Sequence, residues 1–345
     1  MSKLEFLVNT LQQAHKGDED ILETLLLSAV SAHPTFDIKL NVSLTGMSDV
    51  GKTGAGMSVL GIMPKEYQYE THKVSPKVLY YQAMEGYTFN NKTIFLDDVI
   101  ENDSEVLKNI ANTSNRPPSF TTLVNQKPCQ INFDYAPVVW TTRVDLLEDY
   151  QGQADRRFYT VEVKGSKDTI KHIVEMESNN IKPEKSESWQ EAKTIMKNVM
   201  GQSVEVIIPK FDYSFIQTNS GVKYLISMIR SVAKINATDY TELIVVASEE
   251  DIAEATRLYK SNSVQQYKLK ESAVKLLDYI PRIKPTESDF TDSDNSPNTV
   301  EAIFENAKNL GIKIDVVRKS LKSLENKGIV NSIQGRYNRQ FYYKL

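Results

Sequence analysis

The most informative segment for chemistry is a short glycine-containing loop, Gly46-Met-Ser-Asp-Val-Gly51-Lys52-Thr53, which follows the predicted strand Ile38–Leu44. It matches the pattern G-x-x-x-x-G-K-[ST], in which backbone N–H groups surround the phosphates of a nucleotide. The lysine of this pattern contacts the terminal phosphates, and the threonine hydroxyl binds Mg²⁺. The sequence therefore predicts a site for ATP and Mg²⁺, formed by Gly46, Asp49, Val50, Gly51, Lys52, Thr53 and Gly54.

A second acidic element follows at the expected distance along the chain. The apolar segment Thr93-Ile-Phe-Leu is typical of a buried strand, and it ends in Asp97 and Asp98. In phosphate-loop enzymes a carboxylate at such a strand end holds Mg²⁺, and a neighbouring polar residue orients the attacking water. We predict that Asp97 is the metal residue and that Asp98 activates the water. A pair of solvated aspartates at a strand end is the simpler alternative.

Two further segments carry polar groups suited to the same site. The predicted strand Pro137–Trp140 ends in Thr141 and Thr142, and we predict that Thr142 lies beside the terminal phosphate, although a threonine pair also suits an ordinary strand end. Arg156 and Arg157 precede the predicted strand Tyr159–Val163. Either arginine could enter the site of a neighbouring subunit and offset transition-state charge, or could instead form a surface ion pair with the preceding aspartate.

Composition excludes several classes of protein. Of the 345 residues, 40% are hydrophobic and 25% are charged, which is ordinary for a globular chain and excludes a collagen-like, coiled-coil or wholly disordered protein. The net charge of −4 means that any contact with nucleic acid must come from local basic clusters. The single Cys129 and four scattered histidines do not form the clusters that structural zinc requires.

No basic segment followed by an apolar run opens the sequence, and no apolar run approaches about 18 residues. We therefore expect a cytoplasmic protein, or one inside a host cell if a virus or plasmid encodes it, with no membrane partner.

The pattern of apolar residues changes along the chain and predicts five segments. Residues 1–36 favour two helices, 37–164 favour alternating strands and helices, and 165–283 favour helices again, one of them begun by a capping box at Ser248-Glu-Glu-Asp251. Residues 284–297 are polar and acidic, as in a linker, and 298–345 form a small module. The fold class is α/β, with a parallel sheet in the phosphate-loop domain.

Taken together, these motifs resemble the AAA+ ATPases, and among them the ring helicases of the superfamily 3 and minichromosome-maintenance-like branch. Residues 120–133 resemble the hairpin that this branch carries into its central channel, and Lys127 is the residue that matches its tip. The resemblance implies a lid in residues 165–283, with Arg230 reaching the nucleotide, and a homo-oligomer, expected to be a hexamer, around single-stranded DNA. Residues 1–36 would then be a small helical collar.

The C-terminal module resembles a winged helix domain. Residues 301–345 contain nine lysines and arginines against four acidic residues, a balance that suits duplex DNA. The matching basic positions are Arg318, Lys319 and Lys322 on the second helix and Arg336 and Arg339 on the wing. A winged helix that binds proteins is the alternative.

The favoured interpretation is an ATP-dependent DNA helicase or translocase that acts in replication, encoded by a plasmid, virus or other mobile element. A second interpretation is a replication initiator or helicase loader that ATP switches and that binds duplex DNA through its winged helix. A third is an ATPase that regulates transcription or transposition through protein partners. The Lys127 hairpin separates the first two, because a translocating motor needs it and an initiator does not.

Overall fold

A computed structural model describes most of the chain. The described residues are 1–72, 78–99, 104–124, 127–143, 157–165, 167–179, 182–216, 218–237, 243–266, 276, 279–281, 285, 296–311, 313–326, 330–334 and 340–343. The chain divides into two units, residues 1–262 and 263–345. Among the described residues, no helix is both long enough and apolar enough to span a bilayer.

The helices and strands alternate through the first half of the chain, as predicted. The helices are α1 (Lys3–Leu11), α2 (Glu19–Ser31), α3 (Lys52–Ile62), α4 (Val78–Met84), α5 (Ser104–Ile110), α6 (Lys167–Ser178), α7 (Glu187–Gly201), α8 (Asn219–Asn236), α9 (Glu249–Gln266), α10 (Val300–Asn306) and α11 (Ile314–Asn326). The strands are β1 (Val42–Thr45), β2 (Gln68–His72), β3 (Thr93–Asp97), β4 (Ser119–Val124), β5 (Lys127–Asn132), β6 (Val138–Arg143), β7 (Tyr159–Glu162), β8 (Glu205–Ile207), β9 (Ile244–Val246), β10 (Asn331–Gln334) and β11 (Gln340–Tyr343).

A parallel five-stranded sheet forms the centre of the first unit, which confirms the predicted α/β class. Its strand order is β2-β3-β6-β1-β7, and every neighbouring pair is parallel. All residues of β1 and β6 are buried, as expected for strands that helices cover on both faces. The carboxyl ends of β1, β3 and β6 therefore meet at one edge of the sheet, and residues that follow these strands lie close together.

The first strand is shorter than predicted, because residues 38–40 form hydrogen bonds outside the central sheet. The Lys39 N–H donates to the carbonyl of Thr113, the Leu40 N–H donates to the Ser31 hydroxyl, and the Leu40 carbonyl accepts from Ser28. The central sheet thus begins at Val42, and the preceding residues connect it to α2.

The N-terminal helices are part of the central core rather than a separate collar. Every residue of α2 from Ile21 to Ser31 is buried, and the helix packs against α3, α8, β1 and β6. A helix surrounded on all sides belongs to the interior of a domain. The Ser28 hydroxyl also accepts a hydrogen bond of 2.7 Å from the indole N–H of Trp140 in β6.

The predicted lid region is also continuous with this core. Trp189 and Met196 of α7 and Leu225 and Ile229 of α8 belong to the same hydrophobic cluster as the sheet. The predicted capping box is present, since Ser248 and Asp251 exchange backbone and side-chain hydrogen bonds of 2.9 and 3.1 Å.

The second unit begins about 20 residues before the predicted linker. Leu276 and Ile280 pack in one cluster with Ile303, Val317 and Leu321 of the C-terminal module, so they belong with that module and not with the helices that precede it. Within the module, α10, a 3₁₀ turn at Lys308–Leu310, α11 and the antiparallel pair β10–β11 follow one another.

Two lysines of the first unit are fully buried. Lys39 Nζ donates to the carbonyls of Ala32 and His33 at 3.0 and 2.8 Å, beyond the end of α2. Lys234 of α8 lies over the Phe36 ring at 5.7 Å, and among the described residues its Nζ has no hydrogen-bond partner. Burial lowers the pKa of each amine to about 7. Lys234 therefore weakens the fold at neutral pH.

We predict that Lys234→Met raises the free energy of unfolding at pH 7 by a few kcal/mol, because the folded state no longer desolvates this amine. The unfolded chain binds more protons than the folded chain between about pH 7 and pH 10.5, so wild-type stability rises with pH in that window. The free energy of unfolding of Lys234→Met should rise less steeply with pH in the same window. Urea unfolding from pH 6 to 10 measures both effects. Lys39→Met is the comparison variant: it also leaves two carbonyls without their donor, so it should stabilise less than Lys234→Met. An unchanged pH slope in Lys234→Met would contradict the prediction.

Candidate nucleotide-binding site

The phosphate loop joins the end of β1 to the start of α3. Gly46 has φ +143°, and a Cβ there would overlap the carbonyl oxygen of Val163, just beyond β7. Asp49 and Gly51 also have positive φ, at 63° and 100°. Alternating backbone conformations of this kind direct successive N–H groups into one concave surface that binds anions. The start of α3 adds the positive end of a helix dipole at the same place.

Lys52 bends back across this loop. Its side chain is 9% exposed, and its Nζ donates to the carbonyls of Gly46 and Met47 at 2.8 and 2.6 Å. The ammonium group is thus held within the loop by main-chain atoms, at the position where a phosphate oxygen would meet it.

Hydrogen bonds connect the loop to the acidic strand and to the strand between them. Asp97 Oδ1 accepts from the hydroxyls of Thr53 at 2.9 Å and Thr142 at 2.6 Å. Thr142 Oγ1 in turn accepts from the Asp98 N–H at 2.8 Å. Four residues from three separately predicted segments therefore meet at the carboxyl edge of the sheet.

Asp98 adopts a left-handed backbone conformation, with φ 57°, and its side chain is exposed. Aspartate tolerates this region better than most residues, and such conformations concentrate at functional sites. The bond from its N–H to Thr142 fixes the backbone while the carboxylate remains open to solvent, as a group that contacts water and a substrate requires.

The donor set fits Mg²⁺ bound to a nucleotide. Mg²⁺ prefers oxygen ligands and is commonly held by one or two carboxylates together with substrate phosphates. The Thr53 hydroxyl and the Asp97 carboxylate are such ligands, and their direct hydrogen bond shows that one ion could contact both.

Two of the three arginines predicted to act at the nucleotide, Arg157 and Arg230, lie away from the phosphate loop. Arg230 pairs with Asp37 at 3.6 Å, and Asp37 precedes β1, so Arg230 lies at the edge where the sheet begins and not at the phosphate loop. This contradicts the predicted contact of Arg230 with the nucleotide of its own chain, because α8 packs along α2 rather than over the loop. The Arg157 guanidinium donates to the Lys108 carbonyl near that same amino edge, and Arg156 lies outside the described residues.

The structure describes four of the six residues that the sequence predicts to bind nucleic acid. Lys127 is the first residue of β5 and pairs with Val124, the last residue of β4, so it is a strand residue, and residues 125 and 126 lie outside the described residues. Arg318 on α11 pairs with Glu301 and Asp315 at 3.3 and 3.7 Å. Lys319 and Lys322 are exposed on the same helix. Arg336 and Arg339 lie outside the described residues.

Sequence reasoning missed two residues near the loop. His15, in the connection between α1 and α2, packs against Gly51 and Gly54, and its Nε2 lies 2.7 Å from Asp18 Oδ2. No local motif marks this pair, because their importance comes from the packing of the N-terminal helices on α3.

The fold and the loop define a P-loop domain of the nucleoside-triphosphatase class. The chain belongs to the family described as the MTBMA_p00010 P-loop domain, whose model matches residues 2–205. The chain is also 22% identical over 300 residues to an uncharacterised protein, MTBMA_p00010, of Methanothermobacter marburgensis (strain Marburg). That alignment covers 81% of this chain and 37% of the relative, so the chain spans little more than a third of the relative's length. The family match includes α1 and α2, in agreement with their place in the core.

Two neighbouring threonines of β6 provide a test of the hydrogen-bonded array. We predict that Thr142→Val lowers the free energy of unfolding by about 1–3 kcal/mol, because the Asp98 N–H and the Asp97 carboxylate each lose a partner. Thr141 is equally buried, but its hydroxyl has no hydrogen-bond partner among the described residues, so Thr141→Val should leave stability unchanged or raise it. Urea unfolding of the two variants gives the comparison. Equal losses would contradict the predicted role of Thr142.

Proposed function

We propose that this protein is a Mg²⁺-dependent ATPase that moves along DNA, as a helicase or translocase of the superfamily 3 and minichromosome-maintenance-like branch of AAA+ proteins. The observation that carries the ATPase part of the proposal is the array of Thr53, Asp97, Thr142 and Asp98, because it joins the phosphate loop to an acidic pair through a polar strand end. ATP hydrolysis in such sites depends on positioning and charge stabilisation rather than on covalent chemistry.

Each residue has a distinct part in this chemistry. When the nucleotide binds, Lys52 gives up its hydrogen bonds to the loop carbonyls and donates to the terminal phosphates instead. Its positive charge then offsets the negative charge of these phosphates. Thr53 and Asp97 hold Mg²⁺, which when bound neutralises charge on the phosphate oxygens. Asp98 accepts a proton from the attacking water as the water oxygen bonds to the terminal phosphorus and ADP leaves. Thr142 holds Asp97 and the Asp98 backbone in register beside the terminal phosphate.

The hairpin formed by β4 and β5 supports the DNA-moving part of the proposal. In the chain it lies between α5, the helix that follows the acidic pair at the end of β3, and β6, which carries Thr142. A change in hydrogen bonding at the nucleotide therefore acts on the elements that flank the hairpin, α5 through the acidic pair and β6 through Thr142. Lys127, near the hairpin turn, contacts the backbone of single-stranded DNA as a point charge and does not read its sequence.

The proposal includes a homo-hexameric ring in which one subunit completes the site of the next. Arg156 or Arg157 supplies a positive charge to the neighbouring nucleotide. Because the Arg157 side chain contacts the Lys108 carbonyl of its own chain, its use in this role requires that bond to open.

The C-terminal module supports binding to duplex DNA as a winged helix. Val317, Leu321 and Leu324 bury one face of α11, while Lys319 and Lys322 are exposed. This order of helix, helix and antiparallel hairpin places a basic helix face in solvent, as a helix that enters a DNA groove requires. A replication initiator or helicase loader would share this module, so DNA binding alone does not separate the two functions.

We expect Lys52→Ala to reduce ATP turnover at least about 100-fold, because the terminal phosphates lose their cation. Phosphate release with ATP and Mg²⁺, measured with and without single-stranded DNA, tests this. Lys197→Ala is the control, since Lys197 is an exposed lysine on α7. Turnover that survives Lys52→Ala would contradict the proposed site.

We expect Lys127→Ala to retain ATP hydrolysis but to lose strand displacement on a forked DNA, because the hairpin no longer holds the DNA backbone. Wild type, Lys127→Ala and Lys197→Ala are compared in the same assay. Unwinding by Lys127→Ala at the wild-type rate would refute the hairpin assignment. DNA-stimulated hydrolysis without unwinding by the wild type would favour the initiator or loader.

A further inference from the structure

A cavity of about 410 Å³ lies at the amino edge of the central sheet, at the opposite end of the strands from the phosphate loop. Its walls come from four segments: His33 just after α2, Tyr67 before β2, Asn91 before β3, and Gly201 at the end of α7. The five residues of β3 separate this edge from Asp97 by about 15 Å. The cavity is therefore distinct from the nucleotide site, and its volume is in the range of sites for small organic molecules.

No charged side chain of the described residues lines this cavity. The other lining residues are Pro34, Thr35, Asn90, Met200 and Ser203. Burial, and after it the nearby Lys234 and Lys39, lower the pKa of His33 to about 3, so its imidazole is neutral at physiological pH. A charge taken out of water requires an opposite partner. The lining therefore favours an uncharged ligand over a phosphate, a carboxylate or an amine.

The lining offers a hydrogen-bond donor and an acceptor that lack partners. The Thr35 N–H donates to His33 Nδ1 at 3.2 Å, so the neutral ring carries its proton on Nε2, which makes no hydrogen bond with the described residues. Asn91 is 4% exposed, and its Nδ2 donates to the Met200 carbonyl at 2.6 Å. Its Oδ1 has no partner in the part of the chain that the structure describes. A ligand that donates to this oxygen would remove the cost of an unpaired buried acceptor.

Aromatic and apolar groups form the rest of the cavity surface. Tyr67 is half-buried, and Pro34 and Met200 add apolar surface. A nucleobase has a flat face that stacks on aromatic and apolar side chains, and an edge on which donors and acceptors alternate. Asparagine amides commonly recognise such edges. The cavity thus combines the two kinds of group that bind a base, without the cations that bind its phosphates.

Hydrogen bonds fix the walls before any ligand arrives. Lys39 Nζ donates to the His33 carbonyl at 2.8 Å, and the Asn115 amide donates to the Pro34 carbonyl at 3.0 Å. The Asn91 amide, through its bond to the end of α7, joins two of the four wall segments. A site that is ordered in advance loses less entropy on binding.

We propose that this cavity binds the base of an unpaired nucleoside, with the base ring against Tyr67 and its edge on His33 and Asn91. A donor group of the base bonds to Asn91 Oδ1, and an acceptor atom of the base accepts from His33 Nε2. The nucleoside is either free in solution or one residue of single-stranded DNA, whose phosphates stay outside the uncharged cavity. The site stands on its own geometry and does not rest on the function proposed above.

The test uses adenosine, which has no phosphate for the loop to bind. Isothermal titration measures adenosine binding to wild type and Gly201→Leu. A Cβ at Gly201 would lie 3.7 Å from the Tyr67 hydroxyl, an ordinary contact, so the leucine fills the cavity without a backbone clash. We expect Gly201→Leu to weaken adenosine binding at least about tenfold. Lys197→Leu is the matched control: it adds the same side chain to the exposed surface of α7 and should change binding less than about twofold.

A second measurement identifies the source of the base. Fluorescence anisotropy compares the binding of oligodeoxyadenylate with that of an abasic strand of the same length and charge. If the cavity takes a residue of DNA, the wild type binds oligodeoxyadenylate more tightly, and Gly201→Leu loses this preference but keeps its affinity for the abasic strand. If the cavity takes only a free nucleoside, adenosine binds and the two strands bind equally.

Two results would overturn the proposal. One is adenosine binding, or a preference for oligodeoxyadenylate, that persists unchanged in Gly201→Leu. The other is a wild type that neither binds adenosine nor distinguishes the two strands. Ser203→Leu replaces Gly201→Leu if that variant does not fold, since Ser203 lines the cavity and makes no hydrogen bond through its side chain to the described residues. Absence of ATP hydrolysis by the wild type would refute the proposed ATPase and leave this site unaffected.

Discussion

The site depends on one carboxylate oxygen that accepts two hydrogen bonds from different elements. Asp97 Oδ1 on β3 binds Thr53 at the start of α3 and Thr142 on β6. This is possible because β6 lies between β3 and β1, and neighbouring parallel strands lie about 4.8 Å apart with their carboxyl ends at the same edge. A different strand order would separate the acid from the loop, whatever the sequence of either segment.

A parallel sheet of this kind requires cover on both faces, and the cover comes from outside the segment that carries the motifs. Buried helix α2 and the apolar faces of α7 and α8 share one core with β1 and β6. The family match from residue 2 to residue 205 agrees with a domain that includes the N-terminal helices. The same packing brings the connection between α1 and α2, with His15, against the phosphate loop.

The two edges of the central sheet carry different groups. The carboxyl edge holds Lys52, Asp97 and Asp98, whereas Arg157 and Arg230 lie at the amino edge, where a main-chain carbonyl and Asp37 hold them. Helix α5 lies between the acidic pair and β4, and β6 follows β5 and contains Thr142, so α5 and β6 are the elements that flank the β4–β5 hairpin in the chain.

The sequence by itself determined the parts of the site that local chain geometry defines. The phosphate loop, the strand that ends at Asp97 and the capping box at Ser248 each depend on residues a few positions apart, so their patterns are readable before folding. The α/β class followed from the pattern of apolar residues in the same way. Only the tertiary structure decided that α2 is buried, that Arg230 faces Asp37 and that His15 reaches the loop. These contacts join residues far apart in the chain, and periodicity shows which face of a helix is apolar but not which partner that face meets.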